Sequence, residues 1–308
     1  MVPSIAISSL RNEVPPENSV SNVTPLAELT ATNLVIVAGK GGVGKTTVTA
    51  VLARAAADAG RRVLVVELDG KQTLDRLLPD LDVRHLSAAD LLEEYLFEHG
   101  FKRIAKRLAS TGVIDVVGTA APGIDDLVVL GKIKQLERSG EWDLIVVDGP
   151  AAGHAITFLM ASAGLLDAAS SGPIHDQARD VHEMLGDAER SQVVLVTLAE
   201  TTPVNELIET SYAIEERVGV TLGPVVVNRV DAAPPLPDPT TVSFGRSTAQ
   251  VDDALAAARF RRDRRAVQDA ELQRLVDDVP IAQVHLPARP TANVSPEDVA
   301  ALAAGIAG

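Results

Sequence analysis

The chain has 308 residues, 46% of them hydrophobic, which is enough for a sizeable buried core and excludes a wholly disordered protein. Its net charge of −14, from 28 basic and 42 acidic residues, repels nucleic acid and anionic membranes at long range. It has no cysteine, so disulfides, thiolate zinc sites, thiol nucleophiles and thiol capture of soft metalloids are excluded, and no zinc site is expected.

Residues 1–30 are rich in Ser, Pro, Asn and Thr without a sustained period, and read as a disordered or loosely attached arm. No charged segment followed by an apolar run opens the chain, so no secretory leader is expected. Nor does any apolar stretch reach the roughly 18 residues of a membrane-spanning helix. A soluble, cytoplasmic protein is the expectation. Beyond Asn33, short and nearly continuous apolar runs recur: Leu34–Ala38, Val63–Val66, Val113–Val117, Leu144–Val147, Val193–Leu198, Pro224–Val227 and Ile281–Leu286. Runs of this length, separated by helical stretches, are the pattern of a parallel sheet covered on both faces. The expected fold is α/β and doubly wound, one unit over residues 31–308. Two intervals are longer than simple crossovers need, residues 85–140 and 154–190, and are expected to be helical insertions forming a second layer or subdomain. Residues 233–250 read as a loop, and a highly charged helix is predicted over 251–278.

The first predicted strand runs into "AGKGGVGKTT", residues 38–47. Gly39-x-x-x-x-Gly44-Lys45-Thr46 is the phosphate-loop pattern, and here it sits between a strand and a predicted helix, the context that gives the pattern weight. Glycines let successive backbone N–H groups turn inward around phosphates. Lys45 is expected on the β- and γ-phosphates and Thr46 on Mg²⁺, with Gly39, Lys40, Gly41, Gly42, Val43, Gly44 and Thr47 completing the nucleotide loop. ATP and Mg²⁺ are the expected cofactors. The second lysine, Lys40, lies on the rim of the loop and reads as free to point out of the protomer. There it could act like an arginine finger on a facing nucleotide, worth on the order of 10³–10⁵ in rate, or simply raise the local potential as a solvated rim residue.

Acids at strand ends supply the remaining candidates. Asp69 follows the second predicted strand, where ligands of open α/β sheets collect, and is a candidate for positioning or deprotonating the attacking water and for touching Mg²⁺ through water. Glu67 and Asp75 compete for that role, Glu67 reading as part of the strand and Asp75 as a helix residue. Asp148 ends the run "DLIVVD", where an unpaired acid needs a nearby cation. It is expected to hold Mg²⁺ through water, the alternative being a helix N-cap.

The loop with its front lysine resembles the deviant phosphate loop of the ATPase group containing ParA, MinD, the nitrogenase iron protein and the arsenite-pump ATPase. "DGPAAGH", Asp148 to His154, then resembles the second switch of the arsenite-pump and tail-anchored-protein-targeting ATPases, as do "APGIDDLVVLGKIKQL" and "VTLAETTPVNELIET" other segments of that family. The resemblance covers residues 33–290. It implies a P-loop NTPase in which Lys40 crosses a nucleotide-sandwiched dimer interface. It implies further that Asn228 contacts adenine, that Pro287 lies on the adenine side, and that the protein is a homodimer or pairs with a similar subunit to handle a hydrophobic client or a membrane-protein partner. A ParA- or MinD-like partitioning or positioning ATPase, or a weakly hydrolysing regulatory subunit paired with an active paralogue, are the alternatives. The first switch departs from the family: Asp69-Gly70-Lys71-Gln72-Thr73 stands where Asp-Pro-Ala-His-Ser is usual. The family's metal-binding cysteines are absent, which argues against arsenite as cargo.

Other features are read as structural. Arg259, Arg261, Arg262, Arg264 and Arg265 are interleaved with acids and suit a solvated helix face rather than DNA. His175 and His182, two turns apart, are too far for joint ligation. Leu91, Leu92, Tyr95, Leu96 and Phe97 fit core packing better than a client groove. The C-terminal "SPEDVAALAAGIAG" lacks the basic residues of a membrane-attaching helix, so no direct membrane anchor is expected.

Overall fold

The computed structural model describes residues 25–68, 72–98, 123–234, 248–291 and 293–307. The strands are β1 (Leu34–Gly39), β2 (Val63–Glu67), β3 (Asp82–His85), β4 (Leu144–Ala151), β5 (Ser191–Leu198), β6 (Val225–Val230) and β7 (Gln283–Pro287). The helices are α1 (Pro25–Leu29), α2 (Lys45–Asp58), α3 (Thr73–Leu77), α4 (Ala88–Glu98), α5 (Ile124–Arg138), α6 (Ala152–Ala168), α7 (Pro173–Gly186), α8 (Thr201–Ala213), α9 (Thr248–Asp278) and α10 (Pro296–Ala307). The strands form one sheet in the order β3-β2-β4-β1-β5-β6-β7, and every pairing is parallel.

Strand alternation divides the core in two. Leu34, Ile36, Leu64, Val66, Ile145 and Val147 face one side, where α4 to α8 and the end of α9 pack. Val35, Val37, Val63, Val65, Leu144 and Val146 face the other, against α1, α2, α3 and α10. Both faces are therefore dry, which is why β1, β2 and β5 read as continuous apolar runs rather than as an alternation. This is the expected doubly wound sheet. Within α4, Leu91, Leu92 and Leu96 are buried in the first face's core and Tyr95 packs against it, while Phe97 is half exposed.

The sequence reading differs from the sheet at one edge. Strand β3, "DVRH", has an exposed polar pattern and no apolar run, so nothing in its composition announced it. It is an edge strand, and a polar edge discourages pairing with a second sheet. The run Val113–Val117, predicted as a strand, lies outside the described residues. Among those residues no helix is long and apolar enough to cross a membrane.

Candidate functional site

The centre of the sheet sets up the site. β1 lies between β4 and β5, and its chain leaves the sheet at Gly39 to form a loop that enters α2 at Lys45. Gly42 and Gly44 have φ of 88° and 95°, left-handed values that glycine alone adopts without strain. Space also demands glycine at both ends of the loop. A Cβ on Gly39 would lie 2.3 Å from the Val196 carbonyl oxygen, and one on Gly44 would lie 2.3 Å from Asn228 Nδ2.

The side chains expected on the nucleotide gather here. Lys45 Nζ donates to the carbonyls of Gly39 at 3.2 Å and Lys40 at 3.4 Å, folded back across its own loop. Thr46 Oγ1 donates to Asp148 Oδ2 at 2.7 Å, and Thr49 Oγ1 reaches Oδ1 at 3.4 Å. Burial pushes the Asp148 carboxyl above the usual carboxylate range. The Thr46 bond and the Lys45 charge oppose that shift, and the neighbouring Glu67 adds to it. A hydroxyl and a buried, undercompensated carboxylate at a phosphate loop fit a hard divalent cation such as Mg²⁺.

Lys40 does not point out of the chain. It makes an ion pair with Glu206 on α8. Because β5 adjoins β1, the helix that follows β5 runs beside the loop rim and supplies the carboxylate. The partner is distant in sequence, so the loop motif gave no sign of it.

Asn228 is buried at the end of β6 and braces the loop from beneath. Its Nδ2 donates to the Val43 carbonyl at 2.9 Å, and its Oδ1 accepts from the Arg229 N–H at 2.9 Å. Arg229 adopts φ of 58°, a left-handed value uncommon for a side-chain-bearing residue, at the bend that allows this. These bonds use one Nδ2 hydrogen and one Oδ1 lone pair, leaving the other of each for a purine edge. Asn228, Arg229 and Ala288 line a cleft of about 540 Å³ at the ends of β5, β6 and β7, walled by Phe260 and Arg264 of α9. That volume is in the range of small-molecule sites. Pro287 closes β7 in register with Val230, next to this cleft.

The arginine run of α9 is largely paired. Arg261 makes a two-pronged bond to Asp231 at 2.7 and 2.9 Å, Arg264 meets Glu200 and Arg265 meets Asp269. The Arg261 bond holds the Asp231 carboxyl at about 2.

Asp69, with Gly70 and Lys71, lies outside the described residues. The chain resumes at Gln72, with φ of 50°, just before α3.

Comparison with known proteins gives the family to which this region is similar. The family model described as "Anion-transporting ATPase" (ArsA type) matches residues 32–169, a span that holds the loop, β2 and Asp148. The ATPase BagA of Mycobacterium tuberculosis is 34% identical over 230 residues, covering 66% of this chain and 66% of that protein. The chain belongs to the ArsA family of ATPases. Two arsenical pump-driving ATPases are also similar. That of Escherichia coli is 30% identical over 225 residues, 70% of this chain and 38% of that protein. That of Acidiphilium multivorum is 29% identical over 224 residues, 67% of this chain and 36% of that protein. The chain thus spans just under two thirds of the mycobacterial relative and little more than a third of the pump-driving ones. Asn228 and Pro287 fall beyond the region that the ArsA family model matches.

Two residues of the site escaped the sequence reading altogether. Glu206 carries no local signal, being one acid among many on a helix. His85 sits on the strand that composition did not reveal, and its neighbours are described below.

Proposed function

We propose that this ArsA-family chain is a Mg²⁺-dependent ATP hydrolase that works as a nucleotide-driven dimeric switch for a hydrophobic or membrane-associated client. The observation that best supports this reading is the Thr46–Asp148 bond at the mouth of a glycine-built loop. The backbone N–H groups of the loop and the N-terminus of α2 receive the phosphates. Lys45 leaves the carbonyls it now caps and takes the β- and γ-phosphates. Thr46, and Asp148 through water, would hold Mg²⁺, which would supply charge neutralisation on the phosphates. Asp69 orients the attacking water. Lys40, the residue that makes the loop a deviant one, exchanges Glu206 for the transferring phosphoryl of a facing protomer, so hydrolysis waits on dimer closure. The adenine occupies the cleft beside Asn228 and Ala288.

Lys45→Ala tests the assignment of the loop. Phosphate release from ATP is expected to fall by on the order of 10²–10³, and unchanged turnover overturns it. Sedimentation of Asp69→Asn with ATP and Mg²⁺ tests the switch. A dimer is expected, and a monomer when Lys40→Ala is added. The same trapped dimer, used to capture proteins with one exposed hydrophobic helix, tests the client.

A further inference from the structure

Three neighbouring strands set a row of ionisable residues along the C-terminal edge of the sheet. Glu67 on β2 is in register with His85 on β3 and with Asp148 on β4. All three share the α2 face, by the same alternation that places Val83, Val65 and Val146 there. The nucleotide loop accounts for Asp148. It does not account for Glu67, which is 1% exposed and whose two carboxylate oxygens accept no hydrogen bond. A buried carboxylate left in that condition is costly unless a cation compensates it.

The surroundings of Glu67 hold a set of possible metal ligands, with His85 close enough to form an ion pair when protonated but not aligned for a hydrogen bond. His85 Nδ1 lies 2.9 Å from Glu67 Oε2, and His85 Nε2 lies 2.8 Å from Asp75 Oδ2. One ligand atom from each of the three residues lies within 4.8 Å of the others. Two ligands of one tetrahedral ion with bonds of about 2.0–2.1 Å stand ~3.3 Å apart, close to the Glu67–His85 approach. The two approaches use opposite ring nitrogens, and one ion takes only one of them, so the second carboxylate closes on the ion from within the 4.8 Å that separates the three donors. His85 and Asp75 are partly exposed, so an ion can enter from solvent. An imidazole with two carboxylates selects a first-row transition ion over Mg²⁺.

We propose that Glu67, Asp75 and His85 form a binding site for a divalent transition metal of the Zn²⁺ class, distinct from the Mg²⁺ position at Thr46 and Asp148. The ion needs no cysteine. It ties β2 and β3 to α3, the helix that begins just past residues 69–71. It also neutralises the carboxylate standing next to Asp148, which links metal occupancy to the nucleotide site through one shared neighbour. The site stands on its own geometry and does not depend on ATP hydrolysis.

The test is Zn²⁺ titration of the tag-free full chain, stripped with chelator and held in excess Mg²⁺, with calorimetry for affinity and elemental analysis for stoichiometry. About one Zn²⁺ per chain is expected, with affinity falling at least ~100-fold in Asp75→Asn and in His85→Gln. Asp75 is half exposed, so Asp75→Asn reports on ligation even if His85→Gln weakens the fold. Lys45→Ala and Asp148→Asn are expected to keep the Zn²⁺, which separates this site from the nucleotide loop. No binding above background, as when His85 is only an imidazolium held between two carboxylates, overturns the proposal. So does binding that survives both Asp75→Asn and His85→Gln.

Discussion

The two ends of the row His85–Glu67–Asp148 are built in different ways. At the Asp148 end, most of the machinery comes from one stretch of chain, Gly39 to Thr46, folded by three glycines onto the end of a single strand. At the His85 end, three residues arrive from three elements, β2, α3 and β3, and none has a neighbour in sequence that marks it. The first end is a motif and the second is a meeting. A loop that must wrap phosphates with its own backbone has to be contiguous, because its ligands are successive N–H groups. A site made of side chains needs only a sheet that aligns its strands.

The comparison is broken most directly at Gly44. Gly44→Ala combines a left-handed backbone with a 2.3 Å clash on Asn228 Nδ2, which can yield only by giving up its bond to the Val43 carbonyl. It is expected to destabilise the chain by about 1–3 kcal/mol and to abolish nucleotide binding. Thermal melting and titration with a fluorescent ATP analogue check both, and a variant that binds normally contradicts the described loop.

Lys40→Ala comes next. Its partly exposed pair with Glu206 is worth ~1 kcal/mol or less once solvent screening is counted, so melting should barely move. Turnover should nevertheless fall on the order of 10³. A melting loss with unchanged turnover would reduce Lys40 to a structural residue.

Asp148→Asn sharpens the contrast by its sign. Asp148 is an acid whose folded proton affinity is raised, chiefly by burial, so its charged form opposes folding. Stability from this group declines as pH rises from the ordinary carboxylate range through the raised value. At neutral pH, Asp148→Asn is therefore expected to melt higher than the parent, where about 1 kcal/mol moves a chain of 150–250 residues by roughly 2–4 °C. It should lose Mg²⁺-dependent turnover at the same time. A lower melting temperature would mean that Asp148 is already compensated.

The smallest effect is at Arg261, partly exposed on α9. Asp231, held at about 2 by Arg261, contributes stability that is present above its unfolded value and lost as pH falls toward about 2. Arg261→Ala should shift melting slightly at neutral pH and not at all at the acid end. A shift that persists there points to packing rather than charge.

Legibility follows the same division. The loop, its flanking strand and helix, Asp148 and the long charged helix could all be read from residues, since each depends on neighbours within a few positions. The Lys40–Glu206 pair could not, because it exists only once β5 is known to lie beside β1. β3 could not, because an edge strand is not obliged to be apolar. The Glu67 cluster failed for both reasons. Asn228 was legible as a residue of interest, but its support of the loop through Val43 came only from the packing of β6 against the central strands.

That support has a consequence for engineering. By its glycines and its lysine alone, the loop would pass for a portable cassette. Here the amide of Asn228 occupies the space that any larger residue at 44 would need, and it holds the Val43 carbonyl in place. A graft of residues 38–47 into another sheet would arrive without its floor. The transplantable unit is the loop together with the end of β6.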